Sequence, residues 1–232
     1  MNNFDIKAEI STLKVNRSFK HNNVVMLNID IEYPSIILEH GSAIQTRINL
    51  HYKNYAKNYY RYAAATLLPN AIEQYKASVE NGFPFNAYEA VMKYTVTLND
   101  KCTLSTFFDK YEYTGGAHGN TIRTSDNWNL QTGQRIRMAA LFGNNTDYRK
   151  IIIRKIQAMA EEDMESTPGI YFDDYKKLIA ENFSTQNFNL TENTLNVYYQ
   201  QYEIAPYASG IIVFSIPYGE LGIKEPSCIR TV

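Results

Sequence analysis

Apolar and polar positions along this chain switch between two rhythms, an alternation of period two and a recurrence every three or four residues. Ile6, Ala8 and Ile10 alternate before Leu13 and Val15 change phase, which predicts a strand over 5–15 with a bulge. The polar stretch 16–23 reads as a turn. Val25, Leu27, Ile29, Ile31 and Tyr33 then face one way, so the two runs predict an antiparallel hairpin closed by Pro34.

From Ser42 the period lengthens. Ile44, Ile48, Tyr52, Tyr55, Tyr59 and Tyr62 recur at helical spacing, with Ser42 able to cap the first turn. Lys53, Lys57 and Arg61 form a stripe on another face, read as solvated. Ile72, Tyr75 and Val79 continue the pattern to Gly82, so the stretch predicts one long helix broken or kinked near Pro69.

Alternation returns over 86–99, through Tyr88, Ala90, Met92, Tyr94, Val96 and Leu98, and again over 102–113 and 121–130. Short connections between these three strands predict an antiparallel meander. A second helix is expected over 144–166, capped by Asn145 or Thr146 and burying Ile152, Ile153, Ile156, Met159 and Ala160. A shorter one is expected over 173–183, with strands at 194–200 and 211–217. Strands and helices are segregated, which favours an α+β fold: antiparallel sheets packed with one long helix in the first half and two helices in the second. Two closely packed parts are expected, 1–85 and 86–232.

Composition narrows the function classes. The chain has 23 basic and 24 acidic side chains and a net charge of −1, so no basic excess serves a phosphate backbone and nucleic acid is not an expected partner. No apolar run reaches the roughly 20 residues that a membrane span needs, and the first residues carry no signal-peptide pattern. As written, the chain reads as soluble and cytoplasmic, or as a soluble module of a larger exported protein. Cys102 and Cys228 form no metal-ligand pattern, and are able to pair or to stay reduced as small buried hydrophobes. Tyrosine is abundant, 19 residues against one Trp, and exposed tyrosines suit sugar rings or protein partners.

Two stretches carry the candidate chemistry. Tyr113-Thr-Gly-Gly-Ala-His-Gly-Asn120 joins two predicted strands, and its three glycines permit backbone conformations that bulky residues resist. It presents Tyr113, His118 and Asn120. The later Tyr202-Glu-Ile-Ala-Pro-Tyr207 places Tyr202, Glu203 and Tyr207 about a proline turn, where tyrosines beside a carboxylate suit a glycan or a protein surface. Both sets also suit structural duties, bonding backbone groups of tight turns. The four histidines share no ligand spacing, so no metal is expected. No nucleophile elbow, phosphate loop or dinucleotide fingerprint points to a cofactor.

These stretches also carry a resemblance. The glycine stretch, with Trp128-Asn-Leu-Gln-Thr-Gly133 and Leu141-Phe142, resembles the signature of a bacterial domain of unknown function. The run Tyr198–Gly210, with Ile216-Pro-Tyr-Gly-Glu-Leu221, is similar to that domain's C-terminal signature. Tyr33-Pro34 and Ile48-Asn49 resemble its companion domain, which precedes the catalytic domain of PdaC-type peptidoglycan deacetylases. The tandem also resembles the extracytoplasmic sensor of RsiV-type anti-sigma factors, which recognise lysozyme. The sigma-binding segment and membrane helix of the latter are not read here, nor is the paired-His metal motif of the deacetylase domain. The resemblance therefore implies an α+β module that binds a protein or a glycan at the cell envelope, without catalysis. A rival reading is a hydrolase in which His118 works with Asp109, Glu112 or Asp126, and a third is a soluble intracellular paralogue with an unrelated partner.

Overall fold

The computed structural model describes residues 5–143, 146–223 and 225–228. Its strands form a six-stranded sheet in the order β1-β2-β3-β4-β5-β6 and a three-stranded sheet in the order β7-β8-β9. The first comprises β1 (Glu9–His21), β2 (Val24–Ile37), β3 (Tyr88–Asp100), β4 (Thr103–Tyr113), β5 (Asn120–Asn129) and β6 (Gln134–Arg135). The second comprises β7 (Phe188–Leu190), β8 (Thr194–Tyr199) and β9 (Ile212–Pro217). The helices are α1 (Ser42–Tyr62), α2 (Leu68–Asn81), α3 (Tyr148–Ser166) and α4 (Tyr175–Glu181). The α+β class expected from the segregated periods is the class observed, with a parallel pair, β2 on β3, inside an otherwise antiparallel-rich arrangement.

The chain divides into two compact units. One comprises Glu9–Tyr94 and Phe108–Ile122; the other comprises Met1–Ala8, Thr95–Phe107 and Arg123–Val232. In the first unit the β1–β2 hairpin is longer than its hydrophobic pattern suggested. Residues 16–21, polar but for Phe19, belong to β1, and the turn is Asn22-Asn23, both left-handed at φ 51° and 63°. Asn tolerates that region better than most side chains, and two such residues match a hairpin's twist. A bulge is present, but at Phe19/Lys20, and Pro34 does not close the hairpin: it sits within β2 opposite Thr12.

The long helix starts at Ser42 and ends at Gly82, as its period predicted, with Gly82 left-handed at φ 70°. Ser42 is not its cap; Gly41 is, with no side-chain bond. The irregularity near Pro69 is a π-helical turn, Ala63–Leu67, in which the Leu68 N–H reaches back five residues to the Ala63 carbonyl. Pro69 has no N–H to give to the ladder, and a widened turn ahead of it absorbs the mismatch without ending the helix. Ile48, Tyr52, Ala56 and Tyr59 are buried, each large one stabilising by roughly 1.5–3 kcal/mol. Asn49 ties this helix to β2: its Oδ1 accepts from the Ile36 N–H at 2.8 Å and its Nδ2 donates to the Ile36 carbonyl at 2.9 Å. Gln45 Oε1 accepts from the Leu38 N–H at 2.9 Å.

In the second unit α3 buries Ile152, Ile156 and Ala160, and α4 buries Tyr175 and Ile179. They close over Leu190, Leu195, Val197, Tyr199, Phe214 and Ile216 of the smaller sheet. The α3 cap is Asp147, whose carboxylate accepts the Lys150 N–H at 3.4 Å, rather than Thr146; Asn145 lies outside the described residues. The β3–β4 turn fastens both ends of the described chain. Asp5 accepts the Lys101 N–H at 2.6 Å, and the Ile6 carbonyl accepts the Cys102 N–H at 3.1 Å. Lys101 Nζ meets Glu225 at 2.7 Å, and Cys102 forms a disulfide with Cys228. Of the two states open to the cysteines, the paired one is present.

Candidate functional site

The glycine stretch is a steric device first. Gly119 is buried, and a Cβ there would lie 2.3 Å from the Tyr111 ring and 2.6 Å from the Glu112 carbonyl. Gly115 is left-handed at φ 84°, and a Cβ would lie 2.9 Å from Gln74 Nε2 on α2. Packing of the turn against its own strand and α2 therefore accounts for two of its three glycines. Tyr113 is half-buried, while His118 and Asn120 are exposed. His118 Nδ1 lies 3.1 Å from the Gly119 carbonyl. Of the carboxylates considered beside His118, Glu112 accepts from the Tyr62 hydroxyl at 3.2 Å, and Asp126 is gripped by Arg135 at 2.6 Å.

The later stretch is built differently. Gln200 to Glu203 closes a turn, the Glu203 N–H donating to the Gln200 carbonyl at 3.2 Å. Tyr202 is left-handed at φ 67° in that turn, a conformation that costs a side chain of its size. It is also 53% exposed. Its ring lies against that of Tyr207, centroids 5.8 Å apart and planes tilted by 34°. Ile204 and Ala205 are buried and anchor the loop from beneath. Glu203 Oε2 accepts the Gln200 N–H at 2.7 Å, and Asn182 Nδ2 donates to the Glu203 carbonyl at 2.8 Å. Burial raises the Glu203 carboxyl above the ordinary glutamate range, partly opposed by that backbone N–H. The neighbouring Tyr199 hydroxyl, bonded to the Ile179 carbonyl at 2.9 Å, is raised by its own burial and then by the Glu203 charge.

The structure brings Tyr202, Glu203 and Tyr207 together in one unit, and holds Tyr113, His118 and Asn120 on one turn of the other. It also places in the second unit a groove of about 500 Å³ that the sequence reading missed. Arg135, Arg137, Tyr148, Thr185 and Gln186 are among its walls, over Met138 and Phe188. Arg135 sits with its guanidinium 5.0 Å from the Trp128 ring centroid. Ser125 bonds to the Phe188 carbonyl, and Asn127 Nδ2 donates to the same oxygen at 3.0 Å. The signal was present in Gln134-Arg-Ile-Arg137, whose arginines two apart share one side of an extended segment. No group of three or more His, Cys, Asp or Glu side chains suited to a metal ion occurs among the described residues.

Known proteins place this architecture. Residues 20–121 match the family model described as Deacetylase PdaC, and residues 139–219 the model described as Protein of unknown function (DUF3298). Two family models thus match in tandem, the pairing that the chain's motifs implied, with the glycine stretch 113–120 inside the PdaC match rather than the DUF3298 one. It is similar to the Peptidoglycan-N-acetylmuramic acid deacetylase PdaC of Bacillus subtilis (strain 168), 27% identical over 122 residues. That match takes in 50% of this chain and 25% of the relative, so the chain spans only a fraction of the relative's length. A crystal structure of a DUF3298 family member from Bacteroides fragilis shares the fold at a TM-score of 0.73 and 21% identity, covering 93% of this chain and 92% of that one. One from Pseudomonas aeruginosa aligns at 0.59 and 16%, covering 93% and 95%. No helix among the described residues is long and apolar enough to cross a membrane.

Proposed function

We propose that the chain is a non-catalytic binding or sensing module of the bacterial cell envelope, taking a protein of the lysozyme kind or a peptidoglycan glycan as its ligand. The observation that carries this reading is the exposed, left-handed Tyr202, whose ring lies against the half-buried Tyr207, next in sequence to a Glu203 carboxyl raised by burial. Exposed aromatic rings held in fixed geometry suit sugar faces and interface pockets. A backbone held in a disfavoured region to expose a ring, with a buried anchor on either side, suggests function more than folding. The disulfide supports an extracytoplasmic setting, since such bonds persist in oxidising compartments. The likeness to a peptidoglycan deacetylase, confined to a quarter of that protein, supports an envelope role without supplying its reaction.

Tyr113, His118 and Asn120 form a second, smaller contact in this reading. Sedimentation with purified peptidoglycan and titration with lysozyme test it. The chain is expected to bind one of them, and Tyr202→Ala with Tyr207→Ala to weaken that binding severely while the chain still melts as a folded protein. Binding indifferent to both substitutions would overturn the role of the pair. A hydrolytic activity lost in His118→Ala would replace the reading with the hydrolase one.

A further inference from the structure

We propose that the groove walled by Arg135, Arg137, Tyr148, Thr185 and Gln186 is a binding site for a carboxylate-bearing saccharide of one or two rings. The assignment deepens the glycan side of the reading above and rests on it. Among the described residues its walls carry two guanidinium groups and no carboxylate. Arg135 is already balanced, 2.6 Å from Asp126 and seated on Trp128. Arg137 is exposed and makes no side-chain hydrogen bond, ion pair or ring contact among the described residues. One uncompensated positive charge suits a singly charged carboxylate better than a dianionic phosphate, and a planar guanidinium matches its two oxygens.

The rest of the wall suits a sugar. The Thr185 hydroxyl, the Gln186 side-chain amide and the Tyr148 hydroxyl make no hydrogen bond among the described residues, so each is available to ring hydroxyls or an acetamido group. Tyr148 stacks on Phe142 with centroids 5.3 Å apart and planes 25° apart, which fixes an aromatic surface for a sugar face. Ser125 and Asn127 are committed to the Phe188 carbonyl and form a rigid frame rather than ligands. About 500 Å³ lies within the range of small-molecule sites.

Calorimetric titration of the full chain with N-acetylmuramic acid and with N-acetylglucosamine, which lacks the lactyl carboxylate, tests the assignment. The acidic sugar is expected to bind about tenfold more tightly than the neutral one. Arg137→Gln should erase that difference while leaving the neutral sugar unaffected, and Tyr148→Ala should weaken both. Equal affinities, an Arg137→Gln variant that keeps the preference, or no heat with either sugar would each overturn it. Peptidoglycan sedimentation that survives while the sugar titrations fail sinks the groove alone; loss of sedimentation and of lysozyme binding as well sinks the module reading with it.

Discussion

The glycine turn and the aromatic turn stand out equally in the sequence, and the structure separates them. In the first, an unusual backbone is explained by what it packs against: Gly119 faces the Tyr111 ring and Gly115 faces Gln74. In the second, Tyr202 holds a left-handed backbone while its ring remains exposed. A glycine run that packing explains says little about ligands. A tyrosine in a glycine's conformation, with its ring half exposed and covered by one other tyrosine, is the more informative anomaly.

That contrast can be broken in four places. The largest effect belongs to the Cys102–Cys228 bond, which closes a loop of 126 residues. Replacing both cysteines by Ser should cost about 4 kcal/mol in denaturant unfolding. Both cysteines belong to the unit of the aromatic turn, so hydrogen exchange should quicken there and stay slow in β1, β2 and the long helix. Uniform quickening would mean that the two regions do not differ in this way.

Next, Gly119→Ala should destabilise by about 3 kcal/mol, because backbone as well as a ring blocks the new methyl. A thermal melt near wild type would show that packing does not explain the motif. Tyr202→Gly should do the opposite, raising stability by up to about 1 kcal/mol through relief of the left-handed strain while abolishing envelope binding. A variant that is less stable and still binds would reverse the roles of the two turns.

The smallest effect is a pH dependence. Burial holds the Glu203 carboxyl above its unfolded value, so the folded chain keeps this proton longer as pH rises. Its contribution to stability is therefore most favourable below the ordinary carboxylate range and declines through the window between the ordinary and the raised values. Glu203→Gln should gain on wild type as pH climbs from about 4 to about 7, by thermal melts at each pH. Parallel curves would place Glu203 in water.

Much of the architecture was legible because long periodic segments advertise their faces. Ile48, Tyr52 and Tyr59 lie on one helical stripe, and the alternation through Tyr88, Ala90 and Met92 gives β3 directly. What escaped depends on partners distant in sequence. Residues 16–21 are polar but for Phe19, as suits an edge strand with an exposed face, so no alternation marks them. Asp147 takes the cap of α3 and Gly41 that of α1, ends that propensity places only within a residue or two. The three-residue β7 carries no period of its own. Of the candidate site, Tyr202, Glu203 and Tyr207 were visible as a local cluster, whereas the groove needs Arg137 to meet Gln186 across about fifty positions, which no local spacing encodes.

The β3–β4 turn that receives both ends of the described chain has a mechanical corollary. Tension applied near residues 5 and 228 would enter and leave through neighbouring anchor points, one covalent and one hydrogen-bonded. The load would then bypass the long strands of the larger sheet, and a flanking polypeptide could tug on this body without unzipping it.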